Sequence, residues 1–287
     1  MIPPAFEYAR PMSVDQAVRM LADAGEDAKV LAGGQSLLPL LRLRLAFPEL
    51  VVDVGRIPEL RGVREDGEAL VIGAMTTHHD VIRDPLVRRH AGLLAEATAT
   101  VADPAVRHRG TLGGSLAHAD PAGDLPAVAL ALDAELVAAG PGGRRTIPAR
   151  EFFVDYLQSA LSPDELLVEV RVPKVPETDG WTFHYEKFHQ VAQSWAIVGV
   201  AALVRRDGGG ITEARIGLTN MGSTPLRATA AEEALAGADD PGAVARAAEA
   251  AAEGTQPSQD LSGSPEYREH LARVLTERAV LTATGMG

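Results

Sequence analysis

AKVLAGGQS, residues 28–36, and GTLGGSLAHADPAGD, residues 110–124, are the two stretches on which the reading of this chain turns. Residues 28–32 read as a short buried strand. Gly33-Gly34 ends it ahead of the apolar segment LLPLLRLRL. Adjacent glycines let a backbone turn sharply and approach a ligand with no Cβ in the way. The exposed N–H groups of such a turn form a concave anion site. Gln35 and Ser36 add side-chain donors. The second stretch offers the same chemistry through Thr111, Gly113, Gly114 and Ser115, and Ala117, Ala119 and Ala122 keep the chain beyond it slim. Asp120 and Asp124 put carboxylates nearby, and Asp124 suits hydrogen bonds from ribose-type hydroxyls. Neither stretch matches GxGxxG or GxxxxGK(S/T), so the Rossmann and P-loop readings fail. Singly, each is an ordinary glycine turn. Together, in this order, they describe a clamp on one diphosphate.

Outward from these loops the chain alternates elements. SVDQAVRMLADAG (13–25) predicts a helix with Ser13 as N-cap, Gly25 as stop, and Val14, Ala17, Val18 and Leu21 on one face. LVVDVG (50–55) and ALVIGAM (69–75) predict strands, the latter preceded by a turn at EDGE. The segment 78–103 reads as helical, broken at Pro85, with LVRRHAGLLAEATATV as one helix. The glycine-rich stretch 102–124 reads as mostly irregular. A helix passing into a strand is expected over 125–140, then a hairpin through Gly140-Pro141-Gly142-Gly143, then a strand at 166–173. KVPETDG (174–180) reads as a boundary. Beyond it come the alternating WTFHYEKF, a strand–glycine turn–strand hairpin, and three Ala-rich helices, the last starting near Pro265.

Composition bounds the chemistry. The 287 residues carry 27 basic and 39 acidic side chains, a net charge of −12, which argues against a nucleic-acid partner. The absence of cysteine excludes a disulfide, a thiolate zinc site, a cysteine nucleophile and an iron–sulfur cluster ligated by these residues. No run of about 18 apolar residues predicts a transmembrane helix. MIPPAFEYARPMS lacks the basic start and apolar run of a signal peptide, so a cytoplasmic location is expected.

AGGQSLLP (32–39) with GTLGGSLAHADPAGD, and YEKF at 185–188, closely resembles the FAD-binding medium subunit of molybdenum hydroxylases. The likeness is to aerobic carbon-monoxide-dehydrogenase-type enzymes and, more distantly, to the flavin domain of xanthine dehydrogenase. It covers nearly the whole chain. The resemblance implies an α+β fold: a two-part, PCMH-like FAD-binding domain over 1–176 (subdomains 1–57 and 58–176), then a C-terminal domain, 177–287, of a small antiparallel sheet plus helices. It implies FAD contacts from Lys29, Ala32, Gly33, Gly34, Gln35, Ser36 and Leu37 on the first loop. From the second it implies Thr111, Gly113, Gly114, Ser115 and Asp124, with Leu167 and Lys187 from later elements. His118 and Asp120 beside the second loop, and Tyr185 on the aromatic strand, are further candidate contacts read from their position. It also implies a small 2Fe-2S subunit and a large molybdenum-cofactor subunit as partners, in a dimer of heterotrimers. Two positions depart from the family pattern: Gln35 where histidine is common, and Ser194 where aspartate precedes Trp195.

The remaining candidates have plainer readings. Trp181, Phe183 and Trp195 are expected in a core patch of the second domain, and for Tyr185 a flavin-facing place stands beside a core one. His78-His79-Asp80 and His118-Ala119-Asp120 look metal-like only superficially. Arg107 and Arg109 fit a diphosphate, a partner or a solvated surface. No catalytic and no metal-binding residue is assigned. The expected function is an electron-transfer flavoprotein subunit. The alternatives are a stand-alone FAD oxidase or dehydrogenase of a small organic substrate, and a non-enzymatic nucleotide-binding scaffold.

Overall fold

The computed structural model describes residues 2–175 and 179–287, so the expected boundary at 176/177 lies outside the described residues. The first unit comprises β1 (Glu7–Ala9), α1 (Val14–Ala24), β2 (Ala28–Leu31), α2 (Leu37–Leu43) and β3 (Leu50–Asp53). The Ser13 side chain caps α1 by accepting from the Gln16 amide at 3.2 Å, and Gly25 ends it at φ +59°. β3 lies between β1 and β2, parallel to both. Parallel neighbours need a crossover, and α1 and α2 supply the returns. β1 is not legible in the sequence: Glu-Tyr-Ala is three residues long and mostly exposed, so it has no apolar alternation.

The second unit contains β4 (Val63–Asp66), β5 (Ala69–Gly73), β6 (Glu135–Gly140), β7 (Gly143–Pro148), the hairpin β8 (Phe153–Asp155) with β9 (Gln158–Ser159), and β10 (Leu166–Pro173). Five of these form an antiparallel sheet in the order β4-β5-β10-β6-β7. Its helices are α3 (His78–Arg83), α4 (Pro85–His90), α5 (Gly92–Ala99), α6 (Pro104–Arg107), α7 (Leu112–His118), α8 (Asp124–Ala131) and α9 (Ala149–Phe152). Successive strand residues point to opposite faces, and the sheet uses both. Leu136 and Ala138 of β6, with Leu167, Val170 and Val172 of β10, join the helix-side core. Val137, Ala139, Leu166 and Val168 join α1 and β3 on the other side. The first unit therefore closes its core on the back of this sheet.

Two expectations fail here. The stretch 102–124 is not mostly irregular, because it forms α6 and α7. Glycines disfavour a helix interior by about 1 kcal/mol each, but tertiary packing requires one in α7: a Cβ on Gly113 would lie 2.4 Å from the Ala74 Cβ. LVRRHAGLLAEATATV is two helices, broken at Ala91. There Gly92 passes beneath the Phe183 ring, 2.2 Å from where its Cβ would stand. β4 is hidden in the sequence, since Arg64, Glu65 and Asp66 resemble only the approach to a turn.

The third unit is β11 (Trp181–Phe188), β12 (Val198–Asp207), β13 (Gly210–Thr219) and β14 (Leu226–Arg227), an antiparallel sheet in that order. It is followed by α10 (Thr229–Ala234), α11 (Pro241–Ala248) and α12 (Pro265–Thr284). β12 is apolar on both faces. Val198, Val200, Ala202 and Val204 share a core with α12, whereas Ala201 and Leu203 face the helices of the second unit. Gly217 of β13 permits direct contact with α8: its Cβ would sit 2.2 Å from the Ala127 carbonyl oxygen. Trp181 and Phe183 pack on that shared face rather than in the third unit's own core. Trp195 is not in a core at all, being 55% exposed.

Candidate cofactor-binding site

The two glycine loops meet. A Cβ on Gly33 would lie 2.2 Å from the Arg109 carbonyl oxygen and 2.8 Å from the Gly110 Cα, so the chains touch backbone to backbone. A Cβ on Gly114 would lie 3.4 Å from that of Ala32. Gly34, at φ +77°, turns the first loop into α2. The loops are not equivalent, however. Among the described residues no protein group accepts from the amides of Gly34, Gln35 or Ser36. In the second loop the amides are already engaged: Leu112 donates to the Thr76 carbonyl, Gly113 to that of Ala74, Gly114 to Thr111 Oγ1 and Ser115 to the Thr111 carbonyl. Free amides therefore come from the first loop. The second supplies the Ser115 hydroxyl and the positive end of α7.

A cavity of about 650 Å³ runs from this junction toward the third unit, within the range of nucleotide-cofactor sites. It is lined by Lys29, Ala32, Gly33, Gly34, Gln35, Ser36 and Leu37 of the first loop, and by Thr111, Gly114, Ser115, His118, Asp120 and Asp124 of the second. Lys187 arrives from β11. Lys29 has no ion-pair partner among the described residues, so its charge is available to an anion. Three expected contacts do not line the cavity. Gly113 is turned onto Ala74. Leu167 is 4% exposed inside the helix-side core, and Tyr185 is equally buried behind Asp124.

At the far end Asp124, in the first turn of α8, is 5% exposed. Its Oδ1 accepts from the Tyr185 hydroxyl at 2.7 Å, and its Oδ2 from Lys187 Nζ at 2.9 Å. Lys187 also donates to the Thr100 carbonyl at 3.2 Å. Burial holds the Asp124 carboxyl above its ordinary range, against the opposing pull of Lys187 and Tyr185. Burial likewise pushes the Tyr185 phenol well above its ordinary value, so it remains a donor.

Several lining residues carry no local signal in the sequence. Leu157, at φ +55° on the β8–β9 turn, reaches the rim, and Val101, Ala102 and Val106 form an apolar wall. Gln193, Ser194 and Trp195 close one side. The Ser194 hydroxyl donates to the Val191 carbonyl at 2.8 Å within its own loop. Ser194 and Trp195 also wall off a smaller cavity of about 410 Å³ that buried Arg268 lines. The Gln35 side-chain Nε2 donates to the Gly33 carbonyl at 3.2 Å and braces the first loop. Arg107 donates to the Val101 and Ala102 carbonyls, while Arg109 is exposed and contributes its backbone. The histidine pairs diverge: His79 stacks on His108 at 3.9 Å, whereas His78 turns inward beneath Gly110. The described residues contain no group of three side chains placed to hold a metal ion.

His78 is 4% exposed, its Nδ1 has no partner among the described residues, and burial lowers its pKa to about 4. A depressed histidine contributes stability that is present above the unfolded value of 6.5 and lost as pH falls toward about 4. The expected loss over that window is about 3 kcal/mol. Urea titrations should show it in the wild type and a flatter acid limb in His78→Asn. Equal slopes would refute it.

Comparison with known proteins bears directly on the cavity. A family model described as "FAD binding domain in molybdopterin dehydrogenase" matches residues 4–175, and one described as "CO dehydrogenase flavoprotein C-terminal domain" matches residues 183–283. The chain belongs to this flavoprotein family. It is 45% identical to the carbon monoxide dehydrogenase medium chain of Hydrogenophaga pseudoflava, covering 99% of this chain and 98% of that one. It is 41% identical to the 6-hydroxypseudooxynicotine dehydrogenase complex subunit alpha of Paenarthrobacter nicotinovorans, over 99% and 96%. A solved structure of the Hydrogenophaga pseudoflava carbon monoxide dehydrogenase lacking the Mo-pyranopterin moiety superposes with a TM-score of 0.96 at 47% identity, over 100% of this chain and 99% of that one. The α+β architecture expected of the family, an FAD-binding domain followed by a C-terminal sheet-and-helix domain, is thus borne out.

Proposed function

We propose that this chain holds FAD in the cavity between the two glycine loops and β11, and serves as the electron-transfer flavoprotein subunit of a molybdenum and iron–sulfur hydroxylase complex. The observation that carries the reading is that the backbone amides of Gly34, Gln35 and Ser36, which line the cavity, have no acceptor among the described residues, at the junction where Gly33 packs directly on the Arg109–Gly110 backbone. Bound FAD supplies the redox chemistry, taking up and releasing electrons. The residues of this chain bind and orient it. The free amides of Gly34, Gln35 and Ser36, with Lys29 and Ser115, suit a diphosphate. Asp124 and Lys187 present a buried acceptor and donor at the other end. Val101, Ala102, Val106 and Trp195 keep water from that wall.

In this reading substrate is oxidised at molybdenum on a large partner subunit, and electrons arrive through 2Fe-2S clusters on a small one. They then leave to an external acceptor. A dimer of heterotrimers in the cytoplasm is the assembly we propose, and no helix among the described residues is long and apolar enough to cross a membrane. The full-length relatives at 45% and 41% identity are named for different substrates, which supports substrate choice residing outside the medium chain. We divide the chain into 1–57, 58–176 and 177–287. The family matches support the second boundary, since one ends at residue 175 and the next begins at 183. Purified chain should carry, or take up, stoichiometric FAD with visible flavin absorbance. A chain that binds no added FAD would end the proposal.

A further inference from the structure

β11 is the edge strand of the third sheet, yet polar contacts from His184, Tyr185 and Lys187 tie it to the second unit. The Glu96 carboxylate of α5 accepts from the Tyr185 amide and lies 2.8 Å from His184 Nδ1. The Tyr185 hydroxyl reaches over Gly199 of β12 to donate to Asp124 Oδ1 at 2.7 Å, and Lys187 reaches the other carboxylate oxygen at 2.9 Å. Room for that hydroxyl comes from a position on β12. A Cβ on Gly199 would lie 2.6 Å from the Tyr185 oxygen and 3.1 Å from the Thr219 Cβ. Gly199 pairs with Lys187 in an otherwise unbroken strand register. No turn or positive φ explains a glycine there, and glycine inside a strand weakens it.

We propose that Tyr185 is a positioning residue that holds the Asp124 carboxylate in place against Lys187 at the cofactor end of the cavity, and that Gly199 exists to admit its hydroxyl. This rests on the FAD-binding reading and deepens it. A hydrogen bond donated to a carboxylate favours its charged form. Asp124 needs that help because burial opposes its charge. The groups acting on it are Lys187 and Tyr185 from β11 and His189 just beyond, while His118 and Asp120 line the same cavity from the end of α7. The Thr219 hydroxyl, 3.4 Å from that of Tyr185, completes the surroundings from β13. Tyr185 touches no cavity space, so it acts only through Asp124.

Carboxyl ¹³C NMR of the FAD-free full chain reads the Asp124 titration directly. Tyr185→Phe keeps the ring and removes the hydroxyl, and should raise the Asp124 midpoint by about one pH unit. Gly199→Ala should raise it similarly by displacing the hydroxyl, and should add little to the midpoint in the Tyr185→Phe background, where the 2.6 Å clash with the hydroxyl is gone and only the tight approach to Thr219 remains. An unmoved midpoint in Tyr185→Phe, or additive effects in the double variant, would overturn the proposal. The acid limb of FAD affinity should move with the NMR midpoint, whereas a purely structural defect would weaken affinity at every pH without moving it. If the NMR midpoint moves and the wild-type chain binds no FAD, the failure belongs to the functional reading and not to the Tyr185–Asp124 coupling.

Discussion

Gly33→Ala should yield a folded chain nearly empty of FAD. The added methyl carbon would stand 2.2 Å from the Arg109 carbonyl oxygen and 2.9 Å from its carbonyl carbon. These are backbone atoms, with no flexible side chain to swing aside. One of the two loops must retreat, and the Gly34–Ser36 amides move with it. Overpacking of this kind costs about 1–3 kcal/mol. Spent on loop geometry, about 3 kcal/mol corresponds to a roughly hundredfold loss of affinity. The ratio of visible flavin absorbance to protein absorbance, with a titration of added FAD, measures it. Gly142→Ala is the matched control, because nothing lies within 4 Å of a Cβ there. Normal FAD affinity in Gly33→Ala would remove the loop junction from the site.

Lys187→Met should be the most destabilising of these substitutions, and its cost should depend on pH. The side chains of Lys187 and Asp124 are 4% and 5% exposed. Removing one partner of such a pair leaves a buried charge without compensation, at a cost of about 3–5 kcal/mol. Burial already holds Asp124 above the ordinary carboxylate value, with Lys187 the leading opposing influence. Without Lys187 the folded state keeps a proton that the unfolded chain releases in the ordinary carboxylate range. Folded-state stability is then retained in acid and lost as pH rises through and beyond that range. Chemical denaturation should therefore find the gap from wild type widest near about pH 8 and narrowest near about pH 5. Lys187→Met with Asp124→Asn removes both charges and should recover most of the loss. A gap that does not vary with pH would mean that Asp124 is not the group left uncompensated.

Much of the architecture is legible because local signals and tertiary demands agree. Ser13 and Gly25 bracket α1, Pro265 starts α12, and the glycines at 140–143 close the β6–β7 hairpin. Disagreement marks the misses. Gly113 and Gly114 speak for a loop, but α7 forms around them because Thr111 caps it and Ala74 leaves no room for a side chain. β1 and β4 are recruited by neighbouring strands and carry no apolar pattern of their own. Trp195 looks like core from composition alone, and burial is not a property of composition.

Residue type and order are enough to establish that this chain carries two glycine-pair loops, the first directly after a strand, no thiolate ligands, and side chains suited to a diphosphate. Folding in three dimensions brings the loops into contact at Gly33 and satisfies the amides of the second loop. It also turns Tyr185 away from the cavity to hold Asp124. These arrangements depend on which backbone atoms approach within a few ångströms across about eighty residues of chain, a separation that no local pattern encodes.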